Sequence, residues 1–186
     1  LLLLQLVLYH LYRPYQPRGH GGFGTINYQG IVKPTFHAYR FLHVLGDEIL
    51  SAGVGGIVTR DKKTGRLIAL AYHYPSEVKI SVPTVTSLAS AEKVMHTGSP
   101  VPLSVTLTGL PPNAPVLVET LDSSHGNAVA AWEAMGKPPT PTREQTDALR
   151  KAALAVKKKS LQADEPGRFT LQREMEPWSL VLIQQQ

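Results

Sequence analysis

The 186-residue sequence has no cysteine, which excludes disulfide staples, thiolate metal sites and cysteine nucleophiles at once. The compartment stays open, because many secreted proteins also lack cysteine. Phe and Trp are few, at four and two, while 15 Gly and 15 Pro indicate many turns between short strands. No long hydrophobic run exists. Leu1 to Leu8 is apolar but too short to span a bilayer, and it has neither a preceding basic segment nor a small-residue cleavage site. It reads as a buried strand, and no membrane partner is expected.

Several catalytic and binding motifs are missing as well. There is no Gly-x-Ser-x-Gly elbow for a serine hydrolase, no His-x-x-x-His pair for zinc among the seven His, and no Gly-Lys-Ser/Thr after a glycine loop for phosphate. No metal and no cofactor are therefore expected. The formal net charge of +5 includes Arg150, Lys151 and the run Lys157-Lys158-Lys159, which we place on the solvated face of a helix. No aromatic platform is interleaved with that run, so nucleic acid is not an expected partner.

What is present begins with Gly21-Gly22-Phe23-Gly24, a short strand to Val32, and then Lys33-Pro34. Ala38, Phe41, Leu42 and Leu45 recur at helical spacing, with Pro34 at the first helical position and Gly46 as the stop. The spacing predicts a helix over 34–45, and 47–55 reads as a connector. Beyond it, β-prone runs flank the polar turn Asp61 to Gly65 as a hairpin. Further strands are expected at Val78–Val82, Leu103–Leu110, Val116–Leu121, Arg168–Glu174 and Trp178–Ile183. The period-two alternation at 103–107 puts Leu103, Val105 and Leu107 on one buried face. Between the strand groups lies a helical insertion. A short helix near 127–135 carries Trp132, and Thr142-Arg143-Glu144-Gln145 has the capping-box pattern that opens a second helix near 142–160. Both Trp132 and Trp178 are expected to be packing residues.

These segments resemble glycoside hydrolase family 39, the β-xylosidases and α-L-iduronidases. The resemblance rests on the Gly-Gly-Phe-Gly loop with its following helix, on Asp122-Ser123-Ser124-His125-Gly126-Asn127 leading to Trp132 and Met135-Gly136-Lys137-Pro138, and on Glu176-Pro177-Trp178. It covers the chain after residue 19. It implies a mainly β fold: residues 1–50 as a remnant (last strand, loop, helix) of a β/α barrel, then residues 51–186 as an accessory β-sandwich with a helical insertion. It also implies a retaining enzyme acting on xylose-containing glycosides as the parent, with its two catalytic glutamates upstream of the glycine loop. In the resembled enzymes that loop shapes the sugar pocket, so His20, Gly21, Gly22 and Phe23 are the candidate substrate-binding residues. The 34–45 helix would pack on the barrel, so the chain alone should self-associate as a homo-oligomer through residues 1–45.

Two carboxyl groups about 5 to 5.5 Å apart are needed for retaining hydrolysis. Asp47 and Glu48 are adjacent and divergent, and Glu119 and Asp122 sit on and just after a strand, so no catalytic residue is assigned and the chain is expected to be inactive. Asp122, His125 and Asn127 read as turn and cap residues rather than parts of a triad. The alternatives are a stand-alone carbohydrate-binding or interaction module, marked by an aromatic platform, and a small hydrolase with a newly assembled Ser/His or metal site.

Overall fold

The computed structural model describes residues 24–80, 93–94 and 96–186. In chain order the elements are α1 (Pro34–His43), β1 (Glu48–Gly53), β2 (Gly56–Arg60), β3 (Leu67–His73), α2 (Ser76–Ile80), β4 (Val101–Thr108), β5 (Pro115–Leu121), α3 (Val129–Ala134), α4 (Arg143–Leu154), β6 (Lys157–Gln162), β7 (Arg168–Met175) and β8 (Ser179–Gln185). The fold is mainly β. A six-stranded sheet has the order β1-β2-β3-β8-β5-β6, and β4 pairs with β7 as a separate two-stranded ribbon. Every described pairing is antiparallel.

The centre of the large sheet is apolar on both faces, which is why Leu67–Ala71 and Leu180–Ile183 read as continuous hydrophobic runs. The pleat divides them. Leu67, Ala69, Ala71, Val181 and Ile183 point to one core, shared with Leu107, Phe169 and Met175 of the ribbon and joined by Leu103 and Val105. The face predicted from the 103–107 alternation is thus the packed one. Ile68, Leu70, Leu180 and Leu182 point the other way, onto Ala38 and Phe41 of α1.

That second core corrects an expectation. The apolar stripe of α1 packs on the six-stranded sheet, with Phe41 fully buried, instead of awaiting a barrel or another chain. The stripe needed an apolar partner, and the open face of β3 and β8 supplies one. Self-association through residues 1–45 also rested on residues 1–23, which lie outside the described residues.

The hairpin forms as expected. Asp61 Oδ1 accepts from the N–H groups of Lys63 (2.8 Å) and Thr64 (2.9 Å), and Gly65 closes the turn at φ 74°. Residues 47–55 are not a connector: β1 occupies 48–53, runs through position 50 and pairs with β2. Gly46 is not the helix stop, which falls at Val44. Its N–H donates to Thr59 Oγ1 at 2.9 Å, and a side chain there would overlap the Arg60 carbonyl, so glycine is required for close approach. Val78 belongs to the short helix α2, not a strand, and residues 81–92 lie outside the described residues.

The helical segment forms with the capping box in place: Gln145 N–H donates to Thr142 Oγ1 at 3.2 Å, and Thr142 N–H donates to Gln145 Oε1 at 2.9 Å. Leu149 and Ala153 of α4 bury against Ala128, Trp132 and Ile31. The helix ends at Leu154, and the lysine run lies on the edge strand β6. The physical reason is that β5 needs a partner on its outer side, and Lys158 falls opposite Glu119 in that pairing. Three lysines also blunt the exposed edge against pairing with another chain.

Candidate functional site

The residues named from the family resemblance, His20, Gly21, Gly22 and Phe23, lie outside the described residues. The chain just after them forms a tight turn in which Asn27 Oδ1 accepts from Gln29 N–H (3.0 Å) and Ile31 N–H (2.9 Å). Arg150 of α4 donates from Nε to the Gln29 carbonyl at 2.8 Å, which ties this turn to the helical segment. Pro34 then starts α1 with its φ already suited to a helix.

Helix α1 carries polar groups inward beside its apolar stripe. Arg40 grips Glu119 of β5 with a two-pronged contact, Nη1 to Oε2 and Nη2 to Oε1, both at 2.9 Å. Lys158 adds a second cation 3.5 Å from the same carboxylate, which is only 1% exposed. Burial pushes the Glu119 carboxyl up, but the hydrogen bonds and charge of Arg40, with Lys158 beside it, outweigh that and hold it below its ordinary value. It is a fixed anion. A group held this way has no proton to give and no lone pair facing a substrate.

His37, one turn earlier on α1, is buried and shares a 2.8 Å hydrogen bond between Nε2 and the Ala153 carbonyl at the end of α4. The carbonyl only accepts, so Nε2 carries a proton. Desolvation lowers its pKa. Nδ1 is buried without a partner among the described residues.

The remaining candidates serve the fold. Asp122 Oδ1 accepts from the N–H groups of Ser124 and His125 (both 2.9 Å) and meets His125 Nδ1 at 2.8 Å. Asn127 Oδ1 accepts from Val129 N–H at 3.0 Å at the start of α3. This is the turn-and-cap arrangement expected from the sequence, and it gives Ser123 and Ser124 no activating base. Asp47 accepts from Lys62 N–H at 2.9 Å, and Glu48 pairs with Arg60 at 3.4 Å. Among the described residues no three His, Asp or Glu side chains could hold a metal, and no helix is long and apolar enough to cross a membrane.

One concave feature was not foreseen. A cleft of about 420 Å³ lies between the Ser123–Asn127 turn, α3 and the corner at Glu176 to Trp178. Trp132 and Trp178, each 5% exposed, line it together with hydroxyl, amide and carboxylate groups. Their near-complete burial agrees with the packing role expected for both. Trp132 Nε1 donates to the Pro138 carbonyl at 3.0 Å. Trp178 adopts φ 62°, held by its N–H bond to the His73 carbonyl (2.9 Å) and by edge contact with Tyr74 at 5.1 Å between centroids. The sequence signal for the Arg40–Glu119 pair was a lone carboxylate in the otherwise apolar run Val116-Leu117-Val118. Such a residue requires a cation close by.

Comparison with known proteins places this geometry in context. The family model described as glycosyl hydrolases family 39 matches residues 7–170. A beta-xylosidase of Geobacillus stearothermophilus is 30% identical over 141 residues, covering 72% of this chain and 23% of that protein. An alpha-L-iduronidase of Mus musculus is 27% identical over 155 residues, covering 81% of this chain and 24% of that protein. Among solved structures, a monomeric beta-xylosidase from Caulobacter crescentus CB15 superposes with a TM-score of 0.66 at 25% identity, covering 92% of this chain and 34% of that one. A GH39 enzyme from Xanthomonas axonopodis pv. citri gives 0.68 at 21% identity over 90% of this chain and 33% of that one, a likeness of fold. The chain spans about a quarter of the length of these curated relatives.

Proposed function

The chain belongs to glycosyl hydrolase family 39, and from that premise we propose that it is the accessory C-terminal portion of a retaining β-xylosidase-like enzyme. In this reading the catalytic carboxylates come from elsewhere in the parent protein, and carbohydrate is its substrate. The six-stranded sheet with its facing ribbon corresponds to an accessory β-sandwich, α3 and α4 to its helical insertion, and α1 to the closing helix of the barrel. The division falls between α1 and β1, ahead of residue 48, so that β1 stays on the accessory side.

The observation that carries the proposal is the state of Glu119 and Asp122, the carboxylates nearest to a pair in the sequence. Glu119 is locked between Arg40 and Lys158, and Asp122 is spent on its own turn. A retaining glycosidase needs one carboxylate free to attack the anomeric carbon and one able to exchange a proton with the leaving oxygen. Neither residue meets those demands. The test is turnover of an aryl β-xyloside by the purified chain beside Glu119→Gln and Asp122→Asn. The expected result is no hydrolysis above buffer in any of the three. Hydrolysis by the parent chain that is lost in either variant overturns the proposal.

A further inference from the structure

We propose that the groove beside the free edge of β4 is a docking site for one extended, uncharged polypeptide strand supplied from outside this chain. Strand β4 packs over β3, and β7 reaches toward β5, where Arg173 Nη1 donates to Thr120 Oγ1 at 2.9 Å. The ribbon therefore leaves β1 and β2 projecting past β4 on its own side of the large sheet. A groove of about 400 Å³ lies there.

The floor of the groove is low. Paired residues on neighbouring strands share a face, so it consists of the rows Ser51, Val58, Ala69 and Gly53, Gly56, Ala71, with nothing larger than valine. An added Cβ at Gly53 would meet nothing within 4 Å. Large side chains arriving from above therefore have room.

The wall of the groove is unpaired backbone. The Arg168 carbonyl accepts from Asp164 N–H at 2.8 Å and is not given to β4, which makes Thr108 and Arg168 a non-hydrogen-bonded pair. By alternation along β4, Ser104 and Thr106 direct their N–H and C=O groups to the free edge, and Pro102, which has no N–H, falls in the same set. A guest strand would pair with these groups and set every second side chain on the floor.

Charge and space name the occupant. No Lys, Arg, Asp, Glu or His lines the groove, and Val101–Thr108 carries no charge, whereas the β6 edge carries three lysines. An edge without charge is undefended against pairing, and a charged guest would lose its hydration without compensation. A second copy of β4 does not fit. Its own β1 and β2 would project past it into the space that β1 and β2 already take here, a width of roughly 10 Å at ordinary strand spacing. A lone strand fits that width.

The probe is the peptide Lys-Thr-Leu-Thr-Phe-Thr-Leu-Thr-Lys, whose end lysines keep it soluble, titrated into the chain by NMR with amide hydrogen exchange. The expected result is a saturable shift, with exchange at Ser104 and Thr106 slowed about tenfold or more. N-methylation along the peptide backbone keeps its side chains but removes its donors, and losing two hydrogen bonds should weaken binding about twentyfold. Replacing its Leu and Phe by Glu should abolish binding. Gly53→Leu and Ser51→Trp, both at exposed positions, raise the floor and should each remove the protection while thermal melting shows the fold retained. No protection at about 1 mM peptide overturns the proposal. So does equal binding of the N-methylated peptide, protection that survives both variants, or light scattering that shows the chain alone as a dimer which Gly53→Leu makes monomeric.

Discussion

Replacing Arg40 by Met isolates the cost of a buried charge in this fold. The substitution keeps most of the aliphatic stem but removes the guanidinium, and with it both hydrogen bonds to Glu119, a side chain only 1% exposed, and the contact of Cζ with the Phe41 ring at 4.7 Å from its centroid. Breaking a buried ion pair from one side costs about 3 to 5 kcal/mol, because the surviving charge is left without compensation. Lys158 stays 3.5 Å away, but its own side chain is 61% exposed, so it offsets only part of the loss. We therefore expect about 3 kcal/mol of destabilisation at neutral pH, or roughly 6 to 12 °C in melting temperature for a domain of this size. The double variant Arg40→Met/Glu119→Leu should recover most of it, since an apolar pair can replace a buried ion pair at little cost. The pH dependence carries a definite sign. Because the folded Glu119 carboxyl lies below its ordinary 4.5, its contribution is present above 4.5 and is lost as pH falls through the folded value. The gap between parent and Arg40→Met should accordingly close in acid. Urea denaturation across pH measures it. A gap under about 1 kcal/mol at neutral pH, within the range of exposed pairs, refutes the reasoning, as does a double variant no better than the single one.

Trp132→Ala should cost about 3 to 5 kcal/mol and leave the chain insoluble or unfolded, because the indole fills the contact between α3 and α4; Trp132→Phe should keep the fold, and solubility with chemical melts of the two distinguishes packing from any other role. His37 gives a second acid-sensitive step. Its folded pKa lies below 6.5, so the unfolded chain takes up the proton first, and stability present above 6.5 is lost as pH falls through the folded value. His37→Gln should remove that step from the stability profile, and an unchanged profile would show that His37 is not its source.

Much of this architecture was legible because local chemistry specified it. The Thr142 box and the Asp61 turn each satisfy their own backbone groups, so sequence neighbours suffice. The 103–107 alternation likewise names its buried face without reference to its partner. Edge strands behave differently. Nothing in Glu48–Gly53 or Lys157–Gln162 alternates clearly, since both lie at the borders of the sheet and are largely exposed. They are strands because β2 and β5 offer unpaired backbone groups. Such pairing is non-local and cannot be read from a segment alone. The lysine run also follows a well-capped helix with no Gly or Pro between, so nothing in the local sequence marks the stop at Leu154.

The site shows the same division between what a residue demands and what answers it. Glu119 in an apolar strand announces that a cation must be near, but not that Arg40 supplies it from 79 positions away. The stripe Ala38, Phe41, Leu42 announces an apolar partner, and the family resemblance offered a barrel for that role. In this chain the stripe finds the far face of β3 and β8, and the Arg40–Glu119 pair lies on the same side, so apolar burial and charge pairing fix one docking of α1. A helix held by apolar contacts alone could slide by a turn at modest cost. One that must also place a guanidinium on a buried carboxylate cannot, because any slip leaves that charge unpaired. The cleft was illegible for a related reason: its walls come from the 96–100, 123–133 and 176–178 segments, and only the fold brings these together.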